Sequence, residues 1–189
     1  KWRTFSETVL QVADMAGGEL VISLGALLDA VPHTREVRIT GRASNKELSE
    51  KAQWLGIQNS GYQGPTGIHS AFADACSKRQ LPHANIWSHC PHYVQTSPNP
   101  IASYALLERL KNLIDFDLDM SELQLAGEAF QEEVSKAIAK QPDVKSYVTR
   151  LETQYDEARL ESEDMPTGSD MVNEIEKFLR SQSGGQDDQ

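Results

Sequence analysis

The chain has 189 residues, 39% of them hydrophobic, and a formal net charge of −10, enough for one core with a helical appendix. No run approaches the eighteen or more apolar residues of a membrane span, and the start lacks the pattern of a secretory signal, so no membrane partner and a cytoplasmic location are expected. Lys and Arg outnumber Asp and Glu by 11 to 9 over residues 1–114, whereas 7 stand against 19 over residues 115–189; that acidity argues against nucleic acid, whose phosphates need clustered basic residues.

Phe5, Val9, Val12, Ala13 and Ala16 follow helical spacing, Gly17-Gly18 stops that helix, and Leu20-Val21-Ile22 reads as a short buried strand. Val37 and Ile39 alternate with polar neighbours in a second strand. Ser44 with Glu47 has the capping-box form for a helix through Trp54 or Leu55. Gly61 to Gly67 forms a loop with Thr66 as the expected N-cap of a helix on Ile68, Phe72 and Cys76. Trp87 to Val94 reads as a strand that ends near Cys90 and runs out into a loop, and Asn99 and Pro100 cap and open a helix on Ile101, Ala105, Leu106, Leu110 and Leu113. Alternating strands and helices predict a mainly parallel sheet covered by helices.

Beyond Asp115 the pattern turns wholly helical. Leu123, Ala126, Phe130, Val134 and Ala137 form one apolar stripe, with Ser121 as its cap. Val144, Val148, Leu151 and Tyr155 form another behind Pro142 and Asp143, and Val172, Ile175, Phe178 and Leu179 a third. Residues 181–189 are polar and glycine-containing and are expected to be disordered. The expected organisation is an α/β/α domain over 1–116, an acidic helical extension over 117–180, and the tail. The three tryptophans are expected as core or interface anchors, and Cys76 and Cys90, without framework spacing, as free thiols.

Chemistry-bearing residues gather at strand ends, where open α/β sheets place their ligands. If the sheet is parallel, His33 and Arg35, the Gly64-Thr66-Gly67 turn, and His92 with Tyr93 converge on one edge suited to an anionic or sugar-like ligand. The glycines match neither a dinucleotide fingerprint nor a Walker loop, since Ile68-His69 follows Gly67. His89, Cys90 and His92, with His69 or His83, match no closed zinc spacing, so no metal site is expected. Cys90 with His92 as its base lacks an orienting partner. Nor does any carboxylate lie close in sequence, Asp29, Glu36 and Asp74 being the nearest, so no catalytic residue is assigned.

Pro32-His33-Thr34-Arg35, Gly61-Tyr62-Gln63-Gly64-Pro65-Thr66-Gly67-Ile68, Trp87 followed by Pro91-His92-Tyr93-Val94, and Asn99-Pro100 resemble, in order and spacing, the proteasome assembly chaperone 2 family in its actinobacterial branch. Leu151-Glu152 to Asp156 and Glu174 to Leu179 match that group's helical tail, so the resemblance covers residues 1 to 180. It implies a three-layer α/β/α fold of the phosphorylase/hydrolase-like kind with a C-terminal helical extension. It also implies an N-terminal part of the sheet ahead of Trp2, so the chain is expected to be N-terminally incomplete. The implied role is non-enzymatic: binding or ordering protein subunits, proteasome-related ones included, as a homo-oligomer and without a cofactor. Leu151, Tyr155 and Phe178 are the candidate interface residues, on apolar stripes that an interaction module would leave partly exposed. The alternative is a nucleoside- or anion-binding protein, or a phosphorylase/hydrolase-like enzyme, using His33, Arg35, Gly64, Thr66, Gly67, His92 and Tyr93.

Overall fold

The computed structural model describes residues 1–59 and 67–164, with side chains through Leu160. Its elements are α1 (Trp2–Met15), β1 (Val21–Asp29), β2 (Ile39–Ala43), α2 (Lys46–Trp54), β3 (Gln58–Asn59), α3 (Ile68–Lys78), β4 (His83–Pro91), α4 (Pro100–Ile114), α5 (Ser121–Ala139) and α6 (Pro142–Asp164).

The strands form an open sheet in the order β1-β4-β2-β3. β1 runs parallel to β4, from Val21 beside His83 to Asp29 beside Pro91, and β2 runs parallel to β3. β2 is antiparallel to β4, with Ile39 opposite Ser88 and Ala43 opposite Ala84. The sheet is thus mostly parallel, and the antiparallel seam has a local cause. Residues 30–38 contain no helix, so the chain cannot cross over after β1 and turns back into the sheet from the edge where β1 ended.

Val21 and Ile22, being neighbours in a strand, point to opposite faces and define the two outer layers. Ile22 packs with Ile39, Ile57, Ile86, Leu106 and Leu113 beneath α2 and α4, while Val21 joins Leu10, Phe72, Ala75 and Cys76 beneath α1 and α3. The result is a three-layer α/β/α arrangement to which α5 and α6 are added. No helix among the described residues is long and apolar enough to cross a membrane.

Several local signals act as expected and others shift. The Asn99 side chain accepts the Ala102 N–H at 3.1 Å, with Pro100 in the first turn of α4. At α2 the cap is Asn45, which accepts from the Leu48 N–H at 2.8 Å. The Ser44 hydroxyl, one residue past β2, instead accepts the His83 N–H where β4 begins. Ahead of α5, Asp119 accepts from both the N–H and the hydroxyl of Ser121. β1 extends to Asp29, and β4 begins at His83 and ends at Pro91, one residue past the expected end near Cys90.

Exposure departs most from expectation on α1. Ser6 and Leu10 face inward, while Trp2, Phe5, Val9, Val12 and Met15 form an exposed apolar stripe. Trp2 is 51% exposed and Trp54, on the last turn of α2, 86%, so neither is a core anchor; Trp87, over β1, is half-buried. The α6 stripe turns inward: Val148 and Leu151 are buried and Val144 and Tyr155 half-buried within the chain itself. Cys76 and Cys90 are free and buried, and burial pushes both thiols up, away from the thiolate a nucleophile needs.

Candidate functional site at the loop edge

Because β1 and β4 end at the same edge and β2 begins there, the loops 30–38 and 92–99 lie side by side. One hydrogen-bonded line crosses the three strands just beneath them. Asp29 Oδ2 meets His89 Nδ1 at 2.6 Å, and His89 Nε2 meets the Thr40 hydroxyl at 2.9 Å. His89 thus donates from Nδ1 to the carboxylate and shares its other ring nitrogen with the Thr40 hydroxyl. Burial would raise the Asp29 carboxyl, but the hydrogen bonds from His89 and the Ala30 N–H, with the His89 and Arg38 charges, hold it below the usual carboxylate range. Thr40 and His89 are themselves buried, so this acid–imidazole–hydroxyl line pins strands together and presents no open nucleophile.

Above that line sits a second cluster. The Tyr93 hydroxyl accepts the His33 N–H at 2.8 Å and lies 2.9 Å from His33 Nδ1. Tyr93 therefore donates to Nδ1, leaving Nε2–H to donate to the Ser135 hydroxyl on α5 at 3.1 Å. The Gln131 side-chain amide donates to the His33 carbonyl. Burial lowers the His33 pKa, with the Glu152 charge opposing, so the neutral ring is favoured. His92 donates from Nδ1 to the Asp29 carbonyl at 3.0 Å, and its Nε2 faces the Tyr147 hydroxyl at 3.4 Å. The rings of His92, Tyr93 and Tyr147 meet edge to face.

α6 closes the same loop from outside. Arg35 Nε and Nη2 each donate to Asp156 at 2.8 Å, a two-pronged pair. This hydrogen bonding holds Asp156 below the usual carboxylate range and raises Arg35. The Thr34 hydroxyl donates to Glu152, and the Tyr155 hydroxyl donates to the Glu36 carbonyl at 3.0 Å. The cavity under the loop, lined among others by His33, Arg38, His89 and Asn99, has about 20 Å³, room for one water rather than a metabolite. A larger cleft of about 250 Å³ lies elsewhere, between β2, α2 and α4, beside the end of β3.

The structure therefore brings together His33, Arg35, His92 and Tyr93, as expected from their strand-end positions. Gly64 and Thr66 lie outside the described residues. Gly67 is described only as the residue capping α3. Phe178 also lies outside the described residues. Tyr155 binds the loop, and Leu151, buried at 4%, is part of the chain's own packing. Sequence reasoning missed Tyr147, Glu152 and Asp156, whose partners lie 55, 118 and 121 positions away. The available signal was the i,i+4 spacing of Glu152 and Asp156 beside the Leu151 stripe. Among the described residues no group of three or more His, Cys, Asp or Glu could hold a metal.

Fold and site define a three-layer α/β/α domain whose strand-end loops are stitched to two C-terminal helices. The chain belongs to the PAC2 family, whose family model matches residues 1–138. A PAC2 family protein of Streptomyces avermitilis is 38% identical over 78% of this chain and 61% of its own, with a TM-score of 0.68. A structure described as a proteasome-assembly chaperone homologue of Mycobacterium tuberculosis is 37% identical over the same shares, also at 0.68. A Mycobacterium tuberculosis protein of unknown function is 27% identical over 87% of this chain and 54% of its own, at 0.76. The chain thus spans about three fifths of the length of these relatives. No curated protein sequence matches it.

Proposed function

We propose that this chain is a proteasome-assembly-chaperone-like protein that binds or orders protein subunits and turns over no substrate. The observation that carries the reading is the 37% identity, over 78% of the chain, to the structure described as a proteasome-assembly chaperone homologue. One physical feature supports it. His33, Arg35 and Tyr93 have their polar groups committed to the chain's own side chains, so a nucleoside or anion entering there must first displace them. Self-association and a cytoplasmic location belong to the same proposal.

The test mixes purified proteasome α and β subunits of the source organism with the complete protein and follows the species on native gels. A complex with either subunit, or altered assembly intermediates, supports the reading. Unchanged intermediates with no complex overturn it, and light scattering of the protein alone reads its self-association.

A further inference from the structure

Helix α6 stands on the loop edge through charges and hydrogen bonds more than through apolar burial. Val148 and Leu151 are its buried apolar side chains among the described residues, whereas Tyr147, Glu152, Tyr155 and Asp156 each reach a polar group of residues 34–36 or His92. Asp156 occupies two donors of Arg35, and Glu152 takes the Thr34 hydroxyl and lies 3.5 Å from Nη1 of Arg35. The two carboxylates are one helical turn apart, and Thr34 and Arg35 are adjacent in a turn of loop 30–38, so donors and acceptors match in spacing. These side chains remain 34% exposed at Arg35, 24% at Glu152 and 49% at Asp156, within reach of water and ions.

We propose that Thr34 and Arg35 form a recognition site for a helix bearing two carboxylates one turn apart, and that α6 is a strap filling this site in cis and lifting away as a unit. The strap arrangement stands on this geometry, whatever subunits the protein binds.

Hydrogen exchange on the full chain tests the strap. Amides of α6 and of residues 30–38 should exchange together and ahead of Ile86 and Ser88 in β4, and faster still in about 1 M salt, where the screening length falls to about 3 Å. E152Q combined with D156N should raise exchange in both segments about tenfold and leave β4 unchanged, because it removes the charge of two partly exposed pairs. Exchanging the partners in R35D/D156R should restore much of the protection lost in R35D alone. A fluorescent peptide of residues 142–164 tests the site: it should bind the E152Q/D156N chain and lose that binding when Arg35→Ala is added. If α6 exchanges with the same protection as β4, or salt and the double variant change nothing, the strap is overturned. If the peptide shows no Arg35-dependent binding, the recognition site is overturned.

Discussion

Adding one methyl group at each of three glycines should give three different outcomes, fixed by what the new carbon meets. At Gly41, in β2, a Cβ would lie 2.6 Å from the Asn85 carbonyl oxygen and 2.8 Å from Ile57 Cγ2. Ordinary contact begins near 3.4 Å, so the β2–β4 seam must open by about 0.8 Å against its own ladder. Overpacking that moves backbone costs about 1–3 kcal/mol, sometimes more, and the lower entropy of unfolded alanine returns about 0.4–1 kcal/mol. Gly41→Ala should therefore lose about 2 kcal/mol or more. At Gly25 the obstacle is the Trp87 ring at 2.6 Å, a side chain that can tilt but would then lose its edge-to-face contact with His69, so a loss of about 1–2 kcal/mol is expected. At Gly127, inside α5, a Cβ meets Ile101 at an ordinary 3.6 Å, and Gly127→Ala should gain about 0.5–1 kcal/mol of helix propensity. Urea unfolding at constant m-value reads all three. A Gly41 variant within 0.5 kcal/mol (roughly the scale of an exposed substitution) of the parent would refute the seam geometry.

Acidification should destabilise the protein in two windows. His33 has a lowered folded pKa, so its contribution is intact above its ordinary value near 6.5 and is lost as pH falls below it; Asp29, also lowered, loses its contribution below about pH 4. The pH dependence of Tm checks this, and His33→Gln should flatten the upper window alone. Tyr93→Phe leaves the His33 N–H and ring nitrogen without their hydroxyl and should cost about 1–3 kcal/mol in denaturant unfolding, more than removing an exposed hydroxyl would. Asn99→Ala removes the α4 cap and should cost about 1 kcal/mol, a loss that Asn99→Asp should largely avoid.

Much of this fold was legible because its signals are local. Asn99-Pro100 marks the start of α4 by chemistry within four residues, and the stripe of Val144, Val148, Leu151 and Tyr155 identifies the inner face of α6. The direction of β2 was not legible, since it follows from a connection without a helix, and periodicity carries no information about strand direction. The inner face of α1 was misread because the apolar positions Trp2, Phe5, Val9 and Val12 are the exposed ones, while a serine and Leu10 face α3. At the site, His33 and His92 could be placed on one edge from strand ends alone. Their partners could not, because Ser135, Tyr147, Glu152 and Asp156 come from helices whose docking the sequence leaves open.

The β1–β4 ladder joins residues 62 positions apart along its whole length. During synthesis, at about 5–20 residues per second, β1 emerges roughly 3–12 s before its partner exists. For that interval Val21 to Leu28, which carry no charge, lack their β4 partners, and loop 30–38 waits longer still for Glu152 and Asp156. The nascent chain thus passes through a stage in which its own central contacts are missing, and variants that slow translation between Asp29 and His83 should lower the yield of folded protein while leaving the stability of what does fold unchanged.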